Sequence, residues 1–312
     1  MNQEKKSNPR VPINGVLLLD KPEGFSSTQA LGKAKWLLNA EKAGHTGTLD
    51  PFATGLLPLC FGEATKFSRF LLDAKKSYRA TLCLGRTSST GDTEGVLSAP
   101  VPVNVDADKL QAILPQFIGA QTQIPPMTSA LKRDGVPLYK LARQGLEVER
   151  EARAITIFDI GMASLDGEVL VLDVTVSKGT YVRVLAEDIG RALGCGAYLT
   201  GLRRTGTGGM TIAGACTLEQ IEALPAHERG ALLLPAQSLV ADLQALTITN
   251  DAARSLKQGQ MPRIDWPLSI PAAINTEYAT FNADVIFMGV AIAARVEDGN
   301  VILQSVRMMA GE

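Results

Sequence analysis

The run GHTGTLDPFATGLLPLCFGEATKFS, Gly44 to Ser68, holds three textures in quick succession. Gly44, Gly47 and Gly55, with the Asp50-Pro51 pair between them, disfavour a helix, so residues 44–55 read as a loop. GLLPLCFG, 55–62, is a continuous apolar run of strand length and predicts a buried strand. EATKFSRFLLDAKK, 63–76, then reads as a helix. The stretch thus reads as a glycine-rich loop followed by alternating strand and helix, with Asp50 on a tight turn from which a carboxylate can project into a cleft.

The neighbouring segments extend the pattern. Upstream, INGVLLLD (Ile13 to Asp20) has the run of a buried strand, KPEGFSS makes a turn, and Ser27 can cap a helix with Ala30, Leu31, Ala34 and Leu38 on one face. Downstream, SYRATLCLG alternates, placing Tyr78, Ala80, Leu82 and Leu84 on one face of a strand with Tyr78 inward near its start. AITIFDIGMAS and GEVLVLDVTVS read as strands. In SKGTYVRVLAEDIGRALG, Thr180 can cap a helix with Val182, Leu185, Ile189 and Leu193 inward. GTGGMTI turns into a short helix near Leu218. From about Leu246 the texture changes to a helix capped by Asn250 and small strands, DVIFMGVAIAARV and NVILQSVRM, joined by an Asp298-Gly299-Asn300 turn.

Composition narrows the function classes. The 312 residues exceed the usual single-domain length, so a large core, 1–245, and a small β-rich appendage, 246–312, are expected. Four cysteines without CxxC spacing and two distant histidines argue against zinc or a disulfide framework. No segment has the apolar length of a membrane span and the apolar run near the N-terminus is too short for a signal peptide, so a cytoplasmic protein is expected. Net charge is −1, but residues 1–150 carry 19 basic and 14 acidic side chains and the rest 12 and 18. That basic first half permits phosphate contacts. The basic tail to about Arg10 reads as flexible. The segment 121–153, with Lys132, Arg133, Lys140, Arg143 and Arg150 around Tyr139, reads either as a basic arm or as a solvated surface insertion.

Taken singly, the reactive candidates have ordinary explanations. Asp50 before Pro51 can be an Asx turn, His45 a hydrogen-bonded loop histidine, and Tyr78 a packed core tyrosine. Arg183 has Glu187 four residues on as a helix-surface partner. GRTSSTGDTEG and GTGG suggest phosphate loops only weakly, because no GxxxxGK[ST] run exists.

Several motifs in order change that weighing. GVLLLDKPEGFSS, the Gly44–Ser68 run, KSYRATLCLGRTSSTGDTEG, QIPPMTSALKRDGVPLYKLARQG and SKGTYVRVLAEDIGRALGCGAYLTGLRRTGTGG together resemble the TruB-type tRNA pseudouridine synthases over nearly the whole chain. The resemblance implies an α/β fold, a mixed, largely antiparallel sheet with flanking helices, and a small PUA-like RNA-binding domain at 246–312. It implies isomerisation of the uridine at position 55 in the tRNA T-loop, without a metal or organic cofactor. By residue matching, Asp50 is the nucleophile, Tyr78 the ring-contacting and proton-transfer group, and Arg183 the partner of Asp50. His45 contacts the RNA where the base leaves the stack, and Tyr181 and Leu202 line the uridine pocket. Lys21 and Pro22 support the site. The arm at about 121–153 closes over RNA through Lys132, Arg133, Lys140 and Arg143. The implied partner is the tRNA T-stem-loop, bound by a monomer away from membranes. A non-catalytic RNA-binding module or folding chaperone would use the arm and tail without needing Asp50, Tyr78 and Arg183 as a set.

Overall fold

A computed structural model describes residues 9–266, 274–297 and 300–310. The start of the basic tail and the first two residues of the expected Asp298-Gly299-Asn300 turn lie outside the described residues. In chain order the first elements are β1 (Gly15–Lys21), α1 (Ser27–Leu37), β2 (Ala43–His45), β3 (Thr54–Phe61), α2 (Ser68–Asp73) and β4 (Lys76–Leu84). There follow α3 (Ala107–Ile113), β5 (Gly119–Gln123), the small hairpin β6 (Lys132–Arg133) and β7 (Val136–Pro137), α4 (Leu138–Ala142), β8 (Arg153–Asp166) and β9 (Val169–Val176). The next are α5 (Val182–Leu193), β10 (Ala197–Thr207), β11 (Met210–Thr211) and α6 (Leu218–Ala223). The last part holds β12 (Ala245–Thr247), α7 (Asn250–Lys257), β13 (Arg263–Ile264), β14 (Glu277–Phe281), β15 (Phe287–Glu297) and β16 (Asn300–Met308).

The main sheet runs β1-β3-β10-β4-β9-β8-β5, with β2 added on β3 and β11 on β10. Its pairs are antiparallel except β3 with β10, where Thr54 faces Arg203 and Gly55 faces Arg204. This mixed, largely antiparallel sheet with helices on it is the expected architecture. The parallel pair demands glycine at 55: φ there is +99°, and a Cβ would stand 2.3 Å from the Arg204 carbonyl oxygen. The Ala80-Leu82-Leu84 face of β4 joins Leu185, Ile189 and Leu193 of α5 in one apolar cluster, while Leu17, Leu19, Leu57 and Leu59 meet α1 and α6 in another.

The helix starts differ from the expected ones by one residue, each for a local reason. Ser26, not Ser27, caps α1 in a capping box with Gln29. Ser27 is turned inward, where its hydroxyl accepts from the Leu49 amide at 2.8 Å and donates to the Leu49 carbonyl at 3.1 Å. Thr180 does not cap α5, whose cap position is Tyr181, without a side-chain bond. Thr249 caps α7, and Asn250 instead accepts from the Ala283 amide. Residues 62–67 form a 3-10 turn before α2, so the helix expected over 63–76 is only its middle part. Ala43–His45 is a short strand at the start of the expected loop.

A second sheet, β12-β14-β15-β16-β13, gathers the β-rich C-terminal residues. Its Phe287 and Val290 share an apolar cluster with Ala64, Phe67, Leu71, Leu239 and Val240, and the Phe67 and Phe287 rings lie 5.3 Å apart. Lys66 donates to the Met308 carbonyl, and Arg69 pairs with Glu277. Ending the chain after residue 245 uncovers this seam. We expect such a chain to melt earlier and bind a hydrophobic dye, and Phe287→Ala in the full chain to cost about 3 kcal/mol. Denaturant titration of the three proteins checks this; equal midpoints would show a seam of no energetic weight.

Candidate active site

The Asp50 loop is held from beneath before any charge is considered. The Asp50 carbonyl accepts from the Ala53 amide, and the Pro51 carbonyl accepts from the Gly24 amide at 2.8 Å. Lys21, at the end of β1 and wholly buried, sends its Nζ to the carbonyls of Pro22, Phe25 and Pro51. Arg204, equally buried, donates from Nε to the Leu56 carbonyl at 2.6 Å and from Nη2 to the Gly47 carbonyl at 3.3 Å. With Ser27 on Leu49, these contacts fix both flanks of the turn and aim its carboxylate into a cleft.

That cleft, of about 330 Å³, is lined by Asp50, Tyr78, Tyr181, Arg183 and Leu202, with Lys76 and Arg204 on one wall. Tyr78 and Leu202 come from the adjacent strands β4 and β10, where Tyr78 faces Arg204 and Leu202 faces Ala80. Tyr181 and Arg183 come from the start of α5. Ser129, Ala130 and Leu131 of the arm form part of the rim.

Arg183 is 4% exposed and sits between two carboxylates: Nη2 lies 3.0 Å from Asp50 Oδ2, and Nη1 donates to Asp92 Oδ2 at 3.0 Å. Asp92 is 2% exposed and accepts further bonds from the Thr90 hydroxyl and the Glu94 amide. Arg183 thus pairs with Asp50 rather than with the alternative helix-surface partner Glu187. The arginine turns inward, where the buried Asp92 and the half-buried Asp50 both meet its charge. Burial pushes the Asp50 carboxyl above the ordinary carboxylate value; Arg183 opposes this, Asp92 reinforces it, and Lys21 opposes it. Burial likewise brings the Lys21 ammonium down to about 8, with Asp50 as the main counterweight.

His45 stands on β2 outside the lining of the cleft, half-buried, with Nδ1 lacking a partner among the described residues. Burial and then the Arg204 charge lower its pKa, so the ring is neutral at pH 7. Pro22 lies behind the site, its carbonyl on Lys21. The arm leaves the sheet where Gln123 pairs with Arg153, which shortens the excursion to 124–152. On it Lys132, Arg133, Lys140 and Arg143 reach toward solvent; Arg133 donates to the Glu149 carbonyl, and Arg143 lies over the Tyr139 ring at 5.7 Å.

Sequence reasoning missed Asp92, Thr128, Lys76 and Arg204. Asp92 lies in GRTSSTGDTEG, whose glycines suggested a weak phosphate loop. The usable signal was electrostatic, since a buried arginine beside one reactive acid calls for a second acid. Among the described residues no group of histidine, cysteine and acidic side chains could hold a metal ion, and no helix is long and apolar enough to cross a membrane.

Known proteins resemble this chain closely. Residues 35–182 match the profile of the TruB family pseudouridylate synthase N-terminal domain, and 183–241 that of the tRNA pseudouridylate synthase B C-terminal domain. A tRNA pseudouridine synthase B of Thiobacillus denitrificans is 51% identical over 286 residues, covering 91% of this chain and 93% of that protein. One from an Azoarcus species is 54% identical over 252 residues, covering 81% and 84%. Among solved structures, a chain of a Cbf5-Nop10-Gar1 complex superposes with a TM-score of 0.72 at 25% identity, covering 94% of this chain and 84% of that one. With two adjoining profiles spanning 35–241 and relatives half identical over most of its length, the chain belongs to the TruB family of pseudouridylate synthases.

Proposed function

We propose that this chain converts the uridine at position 55 in the T-loop of tRNA to pseudouridine, with Asp50 as the nucleophile. The observation that carries the reading is the Asp50 carboxylate held 3.0 Å from the buried Arg183 guanidinium in a cleft shared with Tyr78. A base stacked in the T-loop must be extruded to reach such a recess, at a cost of a few kcal/mol. Lys132, Arg133, Lys140 and Arg143 then hold backbone phosphates, and His45 touches the RNA where the base leaves the stack. Tyr181 and Leu202 flank the uracil.

The reaction breaks the bond from C1′ to N1 and forms one from C1′ to C5. A carboxylate assists by bonding covalently to the ring or the sugar while the uracil turns. Arg183 keeps Asp50 anionic against the burial that would protonate it. The C5 proton leaves and N1 gains one, so substrate and product are isomers and no oxidant, reductant or water is consumed. Tyr78 is the group placed to move that proton. Lys21 and Pro22 support the turn from behind. The chain acts on tRNA as a monomer in the cytoplasm in this reading. Residues 1–245 serve as the catalytic body, and the sheet of 246–312 as a PUA-like RNA-binding module. A non-catalytic RNA-binding role leaves the desolvated Asp50–Arg183–Asp92 group without a purpose.

Asp50→Asn is expected to abolish pseudouridine formation in a tRNA transcript, read by nucleoside composition, while tRNA binding stays within a few-fold. Turnover near wild type would end the assignment of Asp50.

The raised Asp50 pKa sets two signs. Activity requires the anion, so the single-turnover rate should fall on acidification at a pH above the usual carboxylate range, and Asp92→Asn should move that limb lower by removing a like charge. Because the folded state favours the protonated carboxyl, the stability this group contributes below its unfolded pKa is lost as pH rises through its folded pKa. Asp50→Asn is therefore expected to melt no earlier than wild type at pH 7. A lower melting temperature, or an unmoved limb in Asp92→Asn, would contradict this electrostatic account.

Neutralising Lys132, Arg133, Lys140 and Arg143 together should weaken tRNA binding and flatten its log-log salt slope by roughly 0.7–0.9 for each phosphate that the arm no longer holds. An unchanged slope would make the arm a solvated surface insertion.

A further inference from the structure

The Arg183 guanidinium is oriented from three sides, and one of them belongs to the arm. Nη1 donates to Asp92 Oδ2 at 3.0 Å, to Thr128 Oγ1 at 2.5 Å and to the Thr90 carbonyl at 3.4 Å, and Nη2 faces the Thr128 carbonyl at 3.4 Å. Nη2 is also the nitrogen 3.0 Å from Asp50. Charge balance does not require the threonine, because Asp50 and Asp92 already flank the cation. A neutral hydroxyl placed there supplies direction: at 2.5 Å it is the shortest contact of Nη1, shorter than those to Asp92 or the Thr90 carbonyl, and it helps fix the plane in which Nη2 meets Asp50.

The arm's other attachments show why this contact can report its position. At the root, the buried Gln123 amide accepts from the Tyr181 amide at 3.0 Å and donates to the Tyr181 carbonyl at 3.3 Å, joining the end of β5 to the start of α5. Beyond Thr128 the packing opens. A solvent-open cleft of about 460 Å³ runs between the arm and α5, lined by Ile124, Met127, Thr128, Leu146, Arg183 and Glu187. No continuous apolar seam joins the arm to α5 along this cleft, so the polar contacts of Thr128 carry part of the attachment there.

We propose that Thr128 is a positioning residue that couples the seating of the arm on RNA to the orientation of Arg183, and through it to Asp50. With the arm seated, the hydroxyl locks the guanidinium against both acids; with the arm lifted, Nη1 keeps Asp92 and the more distant Thr90 carbonyl but loses its shortest contact, and the alignment of Nη2 with Asp50 loosens. This rests on the proposed tRNA activity.

The test compares Thr128→Val, which keeps volume and removes the hydroxyl, with Thr128→Ser, which keeps the hydroxyl, in single-turnover conversion of a tRNA transcript at saturating enzyme and in tRNA binding. Valine is expected to lower the saturating rate about 10- to 100-fold, the scale of a hydrogen bond to a charged group, with Kd within about twofold; serine should stay within about threefold of wild type. Combining valine with neutralisation of the four arm cations should lower the saturating rate by less than the product of the separate effects. An unchanged rate in valine, a serine variant as slow as valine, an effect confined to Kd, or strictly multiplicative effects would each overturn the coupling while leaving the functional reading in place. A wild-type protein that forms no pseudouridine would overturn both.

Discussion

A buried guanidinium shared by two carboxylates is the constraint around which this molecule is arranged. Removing Arg183 from water is costly, and that cost is offset only if anions reach it with good geometry. Asp92 arrives from the turn after β4, Asp50 from the loop before β3, and Arg183 itself from the first turn of α5. Three segments far apart in sequence must therefore converge before any one charge is tolerable. The strand order β3-β10-β4-β9 sets their parent strands side by side, and the apolar side of α5 packs the helix onto that sheet.

The same constraint explains the tension in the Asp50 environment. Burial favours the neutral acid, whereas the facing Arg183 guanidinium favours the anion. The arrangement is a compromise in which one arginine serves two acids and the Lys21 ammonium stands behind them. Local stability is surrendered at the place where reactivity is required.

Much of this is readable from residue order, and the exceptions have a common cause. The apolar run of β3, the alternation of β4 and the 3.6-residue spacing of α5 are local signals, and all three elements form as read. The candidates Asp50, Tyr78, Tyr181, Arg183 and Leu202 line one cleft, while His45 lies outside its lining. What escapes is decided by partners distant in sequence. Ser27 fits a cap by local chemistry but is claimed by Leu49, and Asn250 is claimed by Ala283, so the preceding residues take over the helix starts. Asp92 and Thr128 have no local mark at all; their importance exists only once Arg183 is placed between them.

The strand pair Gln123–Arg153 closes the sheet beneath the arm, while the reactive turn is braced by Lys21, Ser27 and Arg204 from the body alone. Floor and canopy are thus written in separate stretches of the gene. Because the cost of closing a loop grows only with the logarithm of its length, the stretch between those two residues can be lengthened, shortened or exchanged with little penalty. Such a stretch can diverge in length and composition between lineages while the braced turn beneath it stays as it is, provided that a hydroxyl is kept where the canopy meets the buried arginine.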